Sequence, residues 1–150
     1  MSKSVSSARR TQEKNPMYKA DQIYGRDKEN EVLPILIDFF KLDLKPTKNY
    51  FVYDYEAPDT YIELKSRRNP KAQYPTTMVG KNKLDYADKC GKDVYFVFNF
   101  SDGLYYWKYD KTMIGDKITF SKGGRFDRGR VEVKQYAYID VELLLPLRTL

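Results

Sequence analysis

The chain has 150 residues, 41% of them hydrophobic, which is enough for one domain with a sizeable core. It contains no histidine, which excludes Ser-His-Asp and Cys-His catalysis, HExxH zinc sites and histidine acid–base chemistry. A formal net charge of +6 is compatible with an anionic partner such as nucleic acid, and any catalysis must rest on carboxylates, lysine, tyrosine and a metal.

Residues 1–16 (MSKSVSSARRTQEKNP) read as a basic, disordered tail, because nothing in them could pack a core. Residues 17–150 then form a single domain. Val32, Leu33, Leu36, Phe39 and Phe40 recur at helical spacing and predict a first helix over Asp27–Lys41. Asp27, Glu29 and Glu31 fall in its opening turns, where the helix dipole favours acids. Pro34 should kink that helix or mark its true first turn. A short strand is expected at Leu42–Lys45, then a hairpin over 49–57 and 60–67. Residues 68–80, with Pro70, Pro75 and Gly80, read as a loop. A second helix is expected at Lys81–Lys89, ended by Gly91.

Val94–Phe100 (VYFVFNF) is a near-continuous apolar run, the mark of a strand buried on both faces. SDG at 101–103 makes a tight turn into the strand LYYWKYD. Residues 121–130 (SKGGRFDRGR) read as a Gly/Arg loop, 131–140 as a strand, and VELLLPL as a closing helical turn. Strands with helices packed on them make a mixed α/β domain. Cys90 is the single cysteine, so no internal disulfide and no cysteine-rich zinc site is available. A reducing, intracellular compartment is the natural expectation. No apolar stretch has membrane-spanning length, so no membrane partner is expected.

The most informative stretch is KNYFVYDYEAPDTYIELKSRR. Two strand-like runs flank a Pro58-Asp59 turn. If that turn is the tip of a hairpin, Asp54 lies opposite Glu63, and opposed residues share one face. Lys65 points the same way. Phe51, Tyr53, Tyr55, Ile62 and Leu64 fall on the other face, suited to burial. Two carboxylates can hold a hard divalent cation, and the lysine can stabilise an anion beside it. The competing reading is a surface ion pair on a solvated face, worth under about 1 kcal/mol.

The order helix acid, Asp, then Glu-x-Lys on consecutive strands, then helix and strand, resembles the PD-(D/E)XK nuclease superfamily. The runs YDYEAPDTYIELKSRRN and TTMVGKNKLDYADKCGKDVYFVFNFSDGLYYWKYD are similar to small proteins of that superfamily in large DNA viruses and phages. The resemblance implies an α/β (α+β) restriction-endonuclease-like core, a central mixed sheet flanked by helices. It implies a Mg²⁺-dependent DNA nuclease, with Mn²⁺ as a substitute, acting where viral DNA is replicated or packaged. Asp54 and Glu63 would be the metal carboxylates, with the Leu64 carbonyl as a further ligand. Lys65 would orient or deprotonate the attacking water and stabilise the phosphorane. Glu29 would be the supporting first-helix acid, with Glu31 as the runner-up. Lys83, on the second helix, would assist or contact DNA. The literal Pro-Asp pair lies in the expected turn, so the metal role goes to Asp54; Asp59 takes it over if that segment opens a strand.

Arg67 and Arg68 would hold the DNA backbone without reading sequence. Arg125, Arg128 and Arg130 either form a solvated loop or grip phosphate. Resolvase-like members work as dimers, so a homodimer is a further expectation, with Leu104–Tyr109 as an exposed aromatic strand for the interface. The alternative function is a DNA-binding or virion-associated protein of the same fold without catalysis.

Overall fold

The structure is a computed structural model, which describes residues 29–125 and 132–149. The expected tail at 1–16, the helix start at Asp27, Arg128 and Arg130 lie outside the described residues. The fold is a mixed α+β arrangement. Its larger sheet has six strands in the order β1-β2-β3-β5-β6-β9. These are Lys45–Pro46, Tyr55–Ala57, Thr60–Ser66, Asp93–Phe100, Gly103–Lys108 and Leu145–Thr149. A second sheet has the order β4-β8-β7, from Thr76–Gly80, Glu132–Asp140 and Ile118–Arg125. Helix α1 covers residues 29–40 and helix α2 covers Lys81–Lys89.

β3 and β5 run parallel at the centre of the large sheet, while the other pairings are antiparallel. A parallel pair needs a crossover, and the chain between them supplies one through β4 and α2. The expected buried strand is β5, and it divides its side chains between two cores. Val97 joins Tyr55, Ile62 and Leu64 beneath Val32 and Leu36 of α1. Phe96 and Phe98 join Tyr61, Trp107 and Leu84 on the other face, under α2 and the second sheet. Two covered faces explain why VYFVFNF carries almost no polar alternation.

Several boundaries differ from the sequence reading. α1 runs through Pro34, which is exposed on its solvent side, so the proline is not in its first turn. Phe39, expected on the buried face, is 41% exposed and packs edgewise on Phe40. The first short strand is Lys45–Pro46 rather than Leu42–Lys45. The stretch 49–54 is turn and bend, with Tyr50 at φ 68°, and only Tyr55–Ala57 pairs as strand. Part of the expected loop at 68–80 is a 3-10 turn, Lys71–Gln73, followed by β4. The first half of the Gly/Arg loop is the end of β7. The closing segment is a 3-10 turn, Val141–Leu143, followed by a strand, β9. β6 is flanked on both sides, with Leu104 and Trp107 buried, so Leu104–Tyr109 is not an exposed interface strand. Among the described residues, no helix is long and apolar enough to cross a membrane.

Candidate active site

The hairpin forms with Pro58 and Asp59 exposed at its tip. Tyr55 pairs with Ile62 and Ala57 with Thr60, a register that sets Asp54 against Glu63. Beyond Tyr55 the ladder gives way. The Asp54 N–H donates to the Ile62 carbonyl at 3.1 Å, and the Leu64 N–H donates to the Asp54 Oδ2 carboxylate oxygen at 2.8 Å. The carboxylate thus stands in for a strand carbonyl. A strand residue's N–H and C=O point to one edge, so the Leu64 carbonyl faces the Asp54 side as well. Asp59 stays in the turn, away from these groups, and does not open a strand.

Glu63 is only 2% exposed, which rules out the solvated face of a surface ion pair. Its Oε2 lies 3.3 Å from Lys65 Nζ and 3.3 Å from Lys83 Nζ. Lys65 reaches it from the same strand face. Lys83 reaches it from α2 and also donates to the Val52 carbonyl. The Tyr53 hydroxyl donates to the Lys83 carbonyl, which fixes the helix against the bend. Lys83 is therefore held at the carboxylate. Burial pushes the Glu63 carboxyl up to about 7; Lys65 and Lys83 pull it down and Asp54 adds to the rise. Desolvation therefore outweighs the two ammoniums in the absence of any further cation.

The assumed apolar back of the hairpin is split. Tyr55, Ile62 and Leu64 face α1, whereas Phe51 and Tyr53 join Tyr61 and Tyr86 on the Glu63 side. The bend at 52–54 breaks the alternation that would have put Tyr53 with Tyr55. It also lines the carboxylate's surroundings with aromatic rings.

The Tyr55 hydroxyl donates to the Glu29 carbonyl at 3.3 Å, which brings the start of α1 to the Asp54 side of the hairpin. Burial raises the Tyr55 hydroxyl pKa, and the charges of Glu29 and Asp54 raise it further. Glu31 is exposed. Arg67 is half-buried, Arg68 is exposed, and Arg125 ends β7 opposite Glu132 with its side chain outside the described residues.

Among the described residues, no group of three or more His, Cys, Asp or Glu could hold a metal ion. The donors on offer are two carboxylates, Asp54 and Glu63, and the Leu64 carbonyl. All are hard oxygens, and Glu63 is a buried acid whose charge a dication would stabilise. That set suits Mg²⁺, which keeps several waters and shares its ligands with substrate phosphates.

A family model described as "Phage putative PDDEXK endonuclease" matches residues 16–147. No curated protein and no solved structure matches the chain.

Proposed function

Because the chain belongs to this family of phage PD-(D/E)XK endonucleases, we propose that it hydrolyses a phosphodiester bond in DNA with Mg²⁺ as cofactor, for which Mn²⁺ can substitute. One observation carries the reading: a carboxylate buried at 2% exposure, gripped by two lysines from different elements, beside a second carboxylate held by the same strand. Structural surface pairs do not need this burial, and its cost is of the kind found at functional sites.

Asp54, Glu63 and the Leu64 carbonyl would hold the cation, with Glu29 in support. When bound, the cation lowers the pKa of a water and neutralises non-bridging phosphate oxygens. Lys65 is half-buried and has three N–H donors, so beyond Glu63 it can orient the attacking water and meet the charge that grows on the phosphate. Lys83 keeps the Glu63 oxygen in place. Arg67 and Arg68 would contact the DNA backbone.

Supercoiled, linear, single-stranded and four-way-junction DNA incubated with Mg²⁺ or Mn²⁺ test this. Wild type should cleave at least one of them. Lys65→Ala and Asp54→Asn should each lose on the order of 100-fold or more. Cleavage that survives both substitutions rejects the site. A folded wild type that cleaves nothing favours a DNA-binding or virion-associated protein of the same fold.

A further inference from the structure

A cavity of about 310 Å³ opens just past Lys65, lined by Arg67, Asn69, Lys71, Tyr74, Thr76 and Thr77 among others. It lies at the carboxyl ends of β3 and β5, the parallel pair, where open α/β sheets commonly bind ligands. The loop after β3 is tied to the turn after β5: Ser101 N–H donates to the Asn69 carbonyl, and Lys71 N–H to Asp102 Oδ1. The Arg67 N–H still pairs with the Asn99 carbonyl, so strand alternation continues and Arg67 follows Lys65 on one face. Two strand residues span about 7 Å, within one nucleotide's reach of the lysine.

The chemistry of the lining is specific. Arg67 and Lys71 are cationic and no carboxylate lines the cavity, whereas three other cavities among the described residues each have an aspartate in their walls. The Lys71 ammonium rests over the Tyr105 ring at 5.2 Å and has to swing from it to meet a phosphate, with Asp102 at the rim on the Lys71 N–H. The Arg67 guanidinium donates to the Met78 carbonyl at 2.6 Å, which joins the end of β3 to β4 and fixes one wall. Tyr74 is 55% exposed although it lines the cavity, so its side chain is accessible to an incoming group. A cavity of this size is at the small end of ligand pockets, right for one nucleotide and too small for a duplex.

We infer that this cavity takes one unpaired nucleotide of the DNA strand beside the cleaved phosphate, its base stacked on Tyr74 and its phosphate against Arg67 and Lys71. The position of the cavity next to the cleaved phosphate rests on the nuclease reading; binding itself needs no metal and no cleavage. It makes the preferred substrate a DNA with single-stranded character at the cut.

Fluorescence anisotropy in EDTA, with short single-stranded DNA carrying 2-aminopurine or an abasic residue at successive positions, tests it. Wild type should bind the strand and quench 2-aminopurine at one position. Tyr74→Ala should weaken binding on the order of tenfold, Tyr74→Phe should restore it, and the abasic residue at that position should add no further loss to Tyr74→Ala. An exposed side chain predicts an unchanged melting temperature for Tyr74→Ala, which separates the effect from misfolding. Absent binding to single strands, Tyr74→Ala binding within twofold of wild type, or no position-specific quenching overturns the inference. Intact stacking without Mg²⁺-dependent cleavage by wild type would instead sink the nuclease reading and leave the cavity assignment standing.

Discussion

Glu63 is held in two opposing ways. Burial disfavours its charge, two lysines favour it, and burial wins, with the carboxyl pushed up to about 7. An acid whose folded pKa exceeds its unfolded value makes the folded state retain a proton. The Glu63 contribution to stability is therefore fully present below pH 4.5 and is lost as pH rises through 7. Urea unfolding at pH 4.5 and pH 8 should show wild type losing up to about 3 kcal/mol more than Glu63→Gln over that window. Equal losses in both proteins would contradict the buried, charged carboxylate. Lys83→Met should cost about 1–2 kcal/mol, because the Val52 carbonyl and Glu63 both lose a donor. Thermal melts check this. The opposition of Asp54 and Glu63 was legible in the sequence, because strand parity and a Pro-Asp turn fix register over ten residues. The burial of Glu63 was not, because it depends on α2 and β5, whose distance from the hairpin no local pattern encodes. Nor was the tie between Lys83 and Glu63: a helix lysine near Asp85 reads as a solvated one.

Among the elements, α2 and β5 were readable, since a Gly91 stop and an unbroken apolar run are strong local signals. β4 and β9 were not. β4 follows Pro75 and β9 carries Pro146, so each borrows its strand character from a neighbour: β8 for β4 and β6 for β9. The end of β7 was misread because SKGG looks like a loop. Gly123 sits in the ladder opposite Lys134, and a Cβ there would stand 2.9 Å from the Tyr136 ring. The glycine lets that ring lie across the strand. Gly123→Ala should therefore destabilise by about 1–3 kcal/mol through overpacking, measured by chemical denaturation. A neutral result would mean that the ring moves aside freely. The split of Tyr53 from Tyr55 was invisible for a similar reason: it arises from a bend after Tyr50, a residue at positive φ, and not from propensity.

Across the whole molecule, the large sheet is coated on both faces, and β5 stitches the two cores together. Leu36, on α1, is fully buried against one face of the sheet, and Phe96, on β5, is fully buried on the other face under α2. Leu36→Ala should cost about 2–5 kcal/mol and Phe96→Ala about 3–5 kcal/mol. A domain's stability is only about 5–15 kcal/mol, so the double variant should be largely unfolded by circular dichroism, and each single variant should melt in one transition. Separate transitions would show that the two faces fold independently. The mixed α+β class was legible from the order of elements; the division into two sheets was not, because β4 joins the β7–β8 pair only through β8, about sixty residues further along the chain.

The architecture holds two acids and two ammoniums against a packed sheet, and on the proposed function its purpose is to seat one divalent ion. Titration calorimetry with Mn²⁺ at pH 8 measures that directly. Wild type should bind one ion per chain, and Asp54→Asn and Glu63→Gln should each abolish it while remaining folded. Undiminished binding in both variants would contradict the account.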